Sequence, residues 1–342
     1  MKVLFTTLCL FISLSFYGQV DNQANEGKSD LQRAIELMDN GFPDDAITLL
    51  EKAKKENQKD YVYDYEIAFA YDIKKDYKNA IASVERAIKF DNANDQCYQM
   101  LGNSYDYLGK HDKAIKAYQR GLKRFPNSGR LYLEQGIVQW NQKNLDAAIT
   151  LFEQGVKVDP QYPSNYYHLA RGYMRTAKKT LAMIYGEQFM NLERNSKRTE
   201  EISKLLYDGY KSFISIKSDT INISFDNVIQ VSKEGKFFPD SKNSLGLIYE
   251  PLLAISVANE KVIDLNSLDR IRTRFLNSYY SEKINEKYPV ELFKMNKDIL
   301  DAGHYEAYNH WLLFKGDEDA FSKWQSANEE KWDKFVEWYN KH

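Results

Sequence analysis

Alanine recurs at positions 46, 80, 114, 148 and 182, an interval of 34 residues each time. Twelve residues ahead of each lies a second small residue: Ala34, Ala68, Gly102, Gly136 and Ala170. Seven residues behind the first four lie Ala53, Ala87, Gly121 and Gly155. Larger residues keep the same beat, with Leu37, Tyr71, Tyr105, Gln139 and Tyr173 in one column and Leu50, Val84, Tyr118 and Phe152 in another. Pro126 and Pro160 close two of the periods, where a helix cannot continue. A fixed period of this length leaves few folds open. Each period must be one supersecondary unit that cannot bury its apolar stripe alone, so neighbours have to stack. Small residues let two helices approach closely, and the large ones fill the spaces between those contacts.

The pattern resembles the tetratricopeptide repeat family, with units at 27–60, 61–94, 95–128, 129–162 and 163–196. Numbered within a unit, the small residues fall at positions 8, 20 and 27 and the large ones at 11 and 24. The resemblance implies two antiparallel helices per unit, A and B, stacked into a right-handed α-solenoid with a concave groove. Unit five departs from the pattern: Gly186 stands at large position 24 and Phe189 at small position 27. A further helix at 196–216 is expected to cap the open end. Beyond it, "TINISF" (220–225) alternates like a strand, and "VIQVSKEGKFF" (228–238) suits a hairpin turning at Glu234-Gly235. Helical patterns then resume, kinked or broken near Pro251. The Trp- and Tyr-rich tail tests as a degenerate hairpin: with Ala320 at position 20, Trp311 falls at 11 and Trp324 at 24, while Tyr308 violates small position 8. It is expected to pack back onto the repeats. The expected fold class is therefore all-α, a tetratricopeptide solenoid over 27–196 followed by a mostly helical region, 197–342, with a small β-hairpin near 218–240.

Residues 3–16 are uncharged and mostly apolar behind Lys2, shorter than the ~20 residues of a membrane span. They read as a signal peptide over 1–18, cleaved after Gly18. Leu8 precedes Cys9 inside the apolar run, which argues against lipid anchoring. Export to the periplasm, or secretion, with no stable membrane anchor is the expectation. Removing the segment leaves Cys97 as the one cysteine, so no intramolecular disulfide is expected. A net charge of −2 gives no basic face for nucleic acid.

His111 tests whether the chain carries chemistry. It falls in the turn between helices A and B of unit three, where unit two has Lys75-Asp76 and unit four Lys143-Asn144. Polar residues recur there and histidine does not, so His111 reads as turn punctuation, with Asp112 placed to cap helix B. His304 and His310 lie six residues apart and face different ways around a helix. Glu306 and His310 can pair, but a pair is not a metal site. With no phosphate loop, paired-cysteine motif or serine elbow, no enzyme activity and no cofactor are expected.

The resemblance implies that positions 2, 5, 9 and 12 or 13 of helix A face the groove. Those positions give Tyr65 and Phe69 in unit two, and Gln99, Asn103, Asp106 and Tyr107 in unit three. Unit four gives Arg130, Leu133, Ile137, Trp140 and Asn141, and unit five gives Tyr167, Arg171 and Arg175. Aromatic anchors with arginines toward one end suit a protein or peptide segment. Some family members clamp a partner's C-terminal carboxylate with lysine, asparagine and arginine. Here Tyr65 and Phe69 stand where basic and amide clamp residues would fall, so a chaperone-tail partner is not supported. The leading expectation is a protein-binding scaffold. The alternatives are a glycan- or small-ligand-binding envelope protein, and an enzyme with its site in 218–342.

Overall fold

The computed structural model describes residues 29–56, 59–217, 220–226, 229–232 and 246–342. The signal-like segment and the turn expected at Glu234-Gly235 lie outside these residues. The chain divides into two compact units, one ending at Ala93 and one beginning at Asn94.

The first unit contains α1 (Asp30–Asp39), α2 (Pro43–Glu56), α3 (Val62–Ile73) and α4 (Tyr77–Ala87). Ser29 and Gln32 close a reciprocal capping box on α1, and Asp76 caps α4 through the Asn79 amide. Ala34, Met38, Ala46, Leu50, Ile67 and Ala70 form its core. Asp64 is buried on α3 and held by Lys54 at 2.6 Å and Arg86 at 2.7 Å.

The second unit continues with α5 (Asp95–Tyr107), α6 (His111–Arg124), α7 (Gly129–Asn141), α8 (Leu145–Val158), α9 (Pro163–Tyr173) and α10 (Lys179–Leu192). Position 15 of four repeats, between helices A and B, adopts positive φ: Gly41 at 84°, Lys75 at 59°, Gly109 at 71° and Lys143 at 66°. The turn therefore demands the left-handed conformation, which lysine adopts at a cost of about 1 kcal/mol or more. Asp112 is not a cap. The N-cap of α6 is Lys110, and Asp112 lies in the first turn, where its charge complements the helix dipole.

The small residues at position 8 make room for the rings at position 24. A Cβ built on Gly102 would fall inside the Tyr118 ring, and one on Gly136 would fall against Phe152. Helix packing in repeats three and four thus rests on a ring laid directly over glycine backbone.

After α10 comes α11 (Lys197–Phe213), then a sheet of β1 (Ile214–Ile216), β2 (Thr220–Ile223) and β3 (Ile229–Ser232). The order is β1-β2-β3, antiparallel, with Ile214 opposite Ile223 and Ile223 opposite Ile229. The helix expected over 196–216 stops three residues early because Ile-Ser-Ile pairs with β2, so among the described residues the expected β-element gains a further strand, β1. Helices α12 (Gly246–Val257), α13 (Leu265–Ser281), α14 (Ile284–Lys287), α15 (Glu291–Asp301), α16 (Tyr305–Leu312), α17 (Glu318–Ala327) and α18 (Glu329–Tyr339) complete the chain. Pro251 sits inside α12, which runs through it as one helix.

This C-terminal region docks on α10 and α11. Glu187 of α10 and Arg272 of α13 form an ion pair at 2.5 Å, 4% and 5% exposed. Asn309 accepts from Arg272 Nε at 2.7 Å, Tyr210 Oη accepts from its Nη1 at 2.9 Å, and Asn296 and Tyr308 donate to Glu187. Burial works against the Arg272 charge, yet Glu187, Tyr305 and Tyr210 together outweigh it and raise the guanidinium pKa well above its ordinary value. The packing of α10 against α11 and α9 accounts for the odd columns of unit five. Gly186 admits Leu206 and Ile202 of α11, and Phe189 is buried against Tyr167. No described helix is long and apolar enough to cross a membrane.

Candidate functional site

Within the second unit, the A helices α5, α7 and α9 and the following α11 are joined by side chains about one repeat apart. Gln99 donates to Glu134 at 2.6 Å, Ser128 to Asp95 at 2.5 Å, Tyr167 to Glu201 at 2.5 Å, and Arg198 to Ser164 at 3.0 Å. The last two pairs are 34 residues apart, so α11 takes the place of a sixth helix A, although a strand follows it in place of a helix B. Burial raises the Glu134 pKa, with the hydrogen bond from Gln99 working against that shift. The period itself carried this signal, since Ser164 and Tyr167 predict partners at 198 and 201.

These ladders, contacts within a repeat and the core engage several residues expected to line a groove. Gln99 is held by Glu134. Asn103 accepts from Tyr118 Oη at 2.5 Å. Asp106 pairs with His111 at 2.6 Å across the A–B turn, which gives that histidine a structural partner. Tyr167 is buried between Glu201 and Phe189. Leu133 is a core residue packed with Ile149, Phe152, Leu169 and Tyr173. Its position in the repeat suggested the groove, but a leucine surrounded by these rings is better satisfied inside.

The rest remain at the surface or half-buried. Arg130 approaches Asp95 only at 4.0 Å. Ile137 and Trp140 are half-buried, Asn141 is exposed, and Tyr107 is 63% exposed. Arg171 lies 5.0 Å from the Tyr167 ring centroid and donates to its hydroxyl at 3.1 Å. Arg175 lies 4.5 Å from the Trp140 ring centroid. Among the described residues, neither arginine has a carboxylate within ion-pair distance. In the first unit Tyr65 is half-buried, and Phe69 is 40% exposed on the same helix as Ile73, also 40% exposed.

His168, not singled out by repeat position, sits behind this surface. Its ring stacks on Phe152 at 5.0 Å, with Trp140 and Tyr167 at its edges. Burial, then Arg171 and Arg198, push its pKa down to about 4. Folded, it stays neutral down to about pH 4; unfolded, it takes a proton below about pH 6.5. Its contribution to stability is thus full above pH 6.5 and lost as pH falls toward 4. Urea midpoints measured from pH 7 to 4 should fall more steeply for wild type than for His168→Phe, and equal slopes would contradict this account.

The C-terminal histidines take separate partners. His310 is buried, stacked on Trp324 at 4.1 Å, with Nδ1 2.8 Å from the Glu306 carbonyl oxygen. That corrects the expected helix-surface pairing of the two side chains. The Glu306 carboxylate accepts instead from Trp324 Nε1 at 2.9 Å and Lys331 at 2.5 Å. His304 caps α16 by position without a side-chain bond and lies 5.3 Å from the Trp338 ring. Among the described residues no group of three or more His, Cys, Asp and Glu is placed to hold a metal ion.

Comparison with known proteins places this geometry. A plant protein, the DnaJ protein P58IPK homolog of Arabidopsis thaliana, is 24% identical over 131 residues, 35% of this chain and 27% of its own length. Photosystem I assembly protein Ycf3 of Prochlorococcus marinus is 26% identical over 179 residues, 47% of this chain and 98% of its own. The chain thus spans about a quarter of the first relative and nearly all of the second. Among solved structures, PilF of Pseudomonas aeruginosa is similar at 17% identity and a TM-score of 0.45, covering 54% of this chain and 82% of that one. A family model, tetratricopeptide repeat, matches residues 31–95 and 100–165; both segments carry the 34-residue beat, and the second holds the ring-over-glycine packing. Over those residues the chain is built of tetratricopeptide repeats.

Proposed function

We propose that the protein is a non-enzymatic scaffold that holds a segment of another protein on the A-helix face of its repeats. One observation carries this reading: Arg171 and Arg175 are stacked on aromatic rings and lack carboxylate partners, beside the half-buried Trp140. A guanidinium braced on a ring is pre-oriented for a carboxylate, and the neighbouring indole offers contact area at small entropic cost. Phe69 and Ile73, exposed on α3 of the first unit, are a separate apolar feature of the kind a partner covers. In this reading the repeats of the second unit, 95–196, form the recognition body, and 197–342 closes their far end. The signal-like sequence at 1–18 supports a partner in the cell envelope.

The test is capture from envelope extract by residues 19–342, wild type beside Arg171→Ala/Arg175→Ala. A partner bound by wild type should bind the variant about 10- to 100-fold more weakly, with unchanged circular dichroism. Equal binding by the two proteins overturns the assignment to this face. Retention of glycans with no protein favours the small-ligand reading.

A further inference from the structure

The aromatic tail shapes a second feature, remote in sequence from the A-helix arginines. An open-mouthed pocket of about 440 Å³ lies between the start of α11 and the C-terminal helices. Its size falls in the range of small-ligand sites. Trp311, Phe314, Phe321 and Trp332 line one part of it, and Arg194 and Lys197 another. The rings are braced against each other. Phe321 lies 5.8 Å from Phe314 and 5.5 Å from Trp332, and Trp311 lies 5.3 Å from Tyr339. All four lining rings are only half-buried, so an apolar wall is held rigid yet left open to a ligand.

The charges are unbalanced in one direction. Arg194 donates from Nη1 to the Tyr339 carbonyl oxygen at 2.5 Å and from Nε to the Asn191 carbonyl oxygen at 3.3 Å, and its guanidinium lies 3.9 Å from the Tyr339 ring centroid. These contacts fix the cation without neutralising it. Lys197 is exposed and has no ion-pair partner among the described residues. The pocket's carboxylate, Glu200, is already paired with Lys315 at 3.0 Å. A flat apolar wall beside two uncompensated cations calls for a ligand with an apolar body and a negative end.

We propose that this pocket binds an apolar carboxylate, either a free acid or the C-terminal residue of a peptide. A neutral sugar would use the rings but would leave both cations without a counter-charge.

The experiment uses isothermal titration of the full chain with N-acetylphenylalanine, its amide, Gly-Gly-Phe as free acid and as amide, and methyl glucoside. The acids should bind saturably, and the amides about tenfold more weakly. Lys197→Glu, a change at an exposed position, should weaken the acids by about the same factor without altering circular dichroism. Trp332→Leu should weaken acid and amide together. Tighter binding of Gly-Gly-Phe than of N-acetylphenylalanine would identify a chain end as the ligand, and the reverse a free acid. No saturation up to about 10 mM, equal binding of acid and amide, an unaffected Lys197→Glu variant, or binding of the glucoside in place of the acids would each overturn the proposal. None of these results bears on the A-helix arginines, so the two sites are tested separately.

Discussion

Arg272→Met should destabilise the second unit by about 3–5 kcal/mol, read as a drop in the urea midpoint of helical circular dichroism. The substitution preserves bulk and removes charge. It leaves Glu187, 4% exposed, with only neutral donors: Asn296 Nδ2 at 2.9 Å and Tyr308 Oη at 3.1 Å. It also strips Asn309 Oδ1 of the guanidinium donor at 2.7 Å. An unpaired buried carboxylate must either protonate or draw water into a core of tyrosine and phenylalanine. The companion measurement separates loss of the pair from loss of packing. Glu187→Met/Arg272→Met should recover most of the stability, because a buried pair offers little net gain over apolar groups of similar shape. A double variant no more stable than the single one would show that the network's geometry, not its charge, holds the region.

The second large effect is expected at Gly102→Val. Position 102 lies under the Tyr118 ring, where even a single added carbon overlaps it. Tyr118 is fully buried and its hydroxyl is tied to Asn103, so the ring cannot swing aside without breaking that bond. Overpacking of this kind costs about 1–3 kcal/mol, and the lost hydrogen bond adds to it. The paired variant Gly102→Val/Tyr118→Ala should be less unstable than the sum of its parts, since the clash disappears with the ring. Additive effects would place the strain elsewhere.

The repeat register was legible because it is a matter of size at fixed intervals. Ala46, Ala80, Ala114 and Ala148 all lie fully buried, as their spacing requires. The site was less legible. Position in the repeat indicates which side of a helix a residue occupies. It does not indicate whether Gln99 faces a partner or Glu134, since either satisfies a carboxamide. Leu133 shows the same limit for an apolar side chain. The Glu187–Arg272 pair was invisible for a different reason. Its members are 85 residues apart, and nothing local to either distinguishes a buried charge from a solvated one. The one available sign was a conflict, Gly186 and Phe189 in the wrong columns of unit five, where Leu206 and Ile202 of α11 and Tyr167 of α9 pack, on the same helix that the C-terminal region docks on through Glu187.

That docking makes the array modular in one direction only. Whole repeats ahead of unit five present standard columns at both joins, so a repeat added or removed there meets the same kind of neighbour. Unit five has no such freedom. Its outer helix is keyed to α13 and α15 by a charge and a carboxamide that no generic repeat supplies. A repeat inserted or deleted within 163–342 would therefore break these bonds, whereas one inserted or deleted ahead of residue 163 would leave them in place.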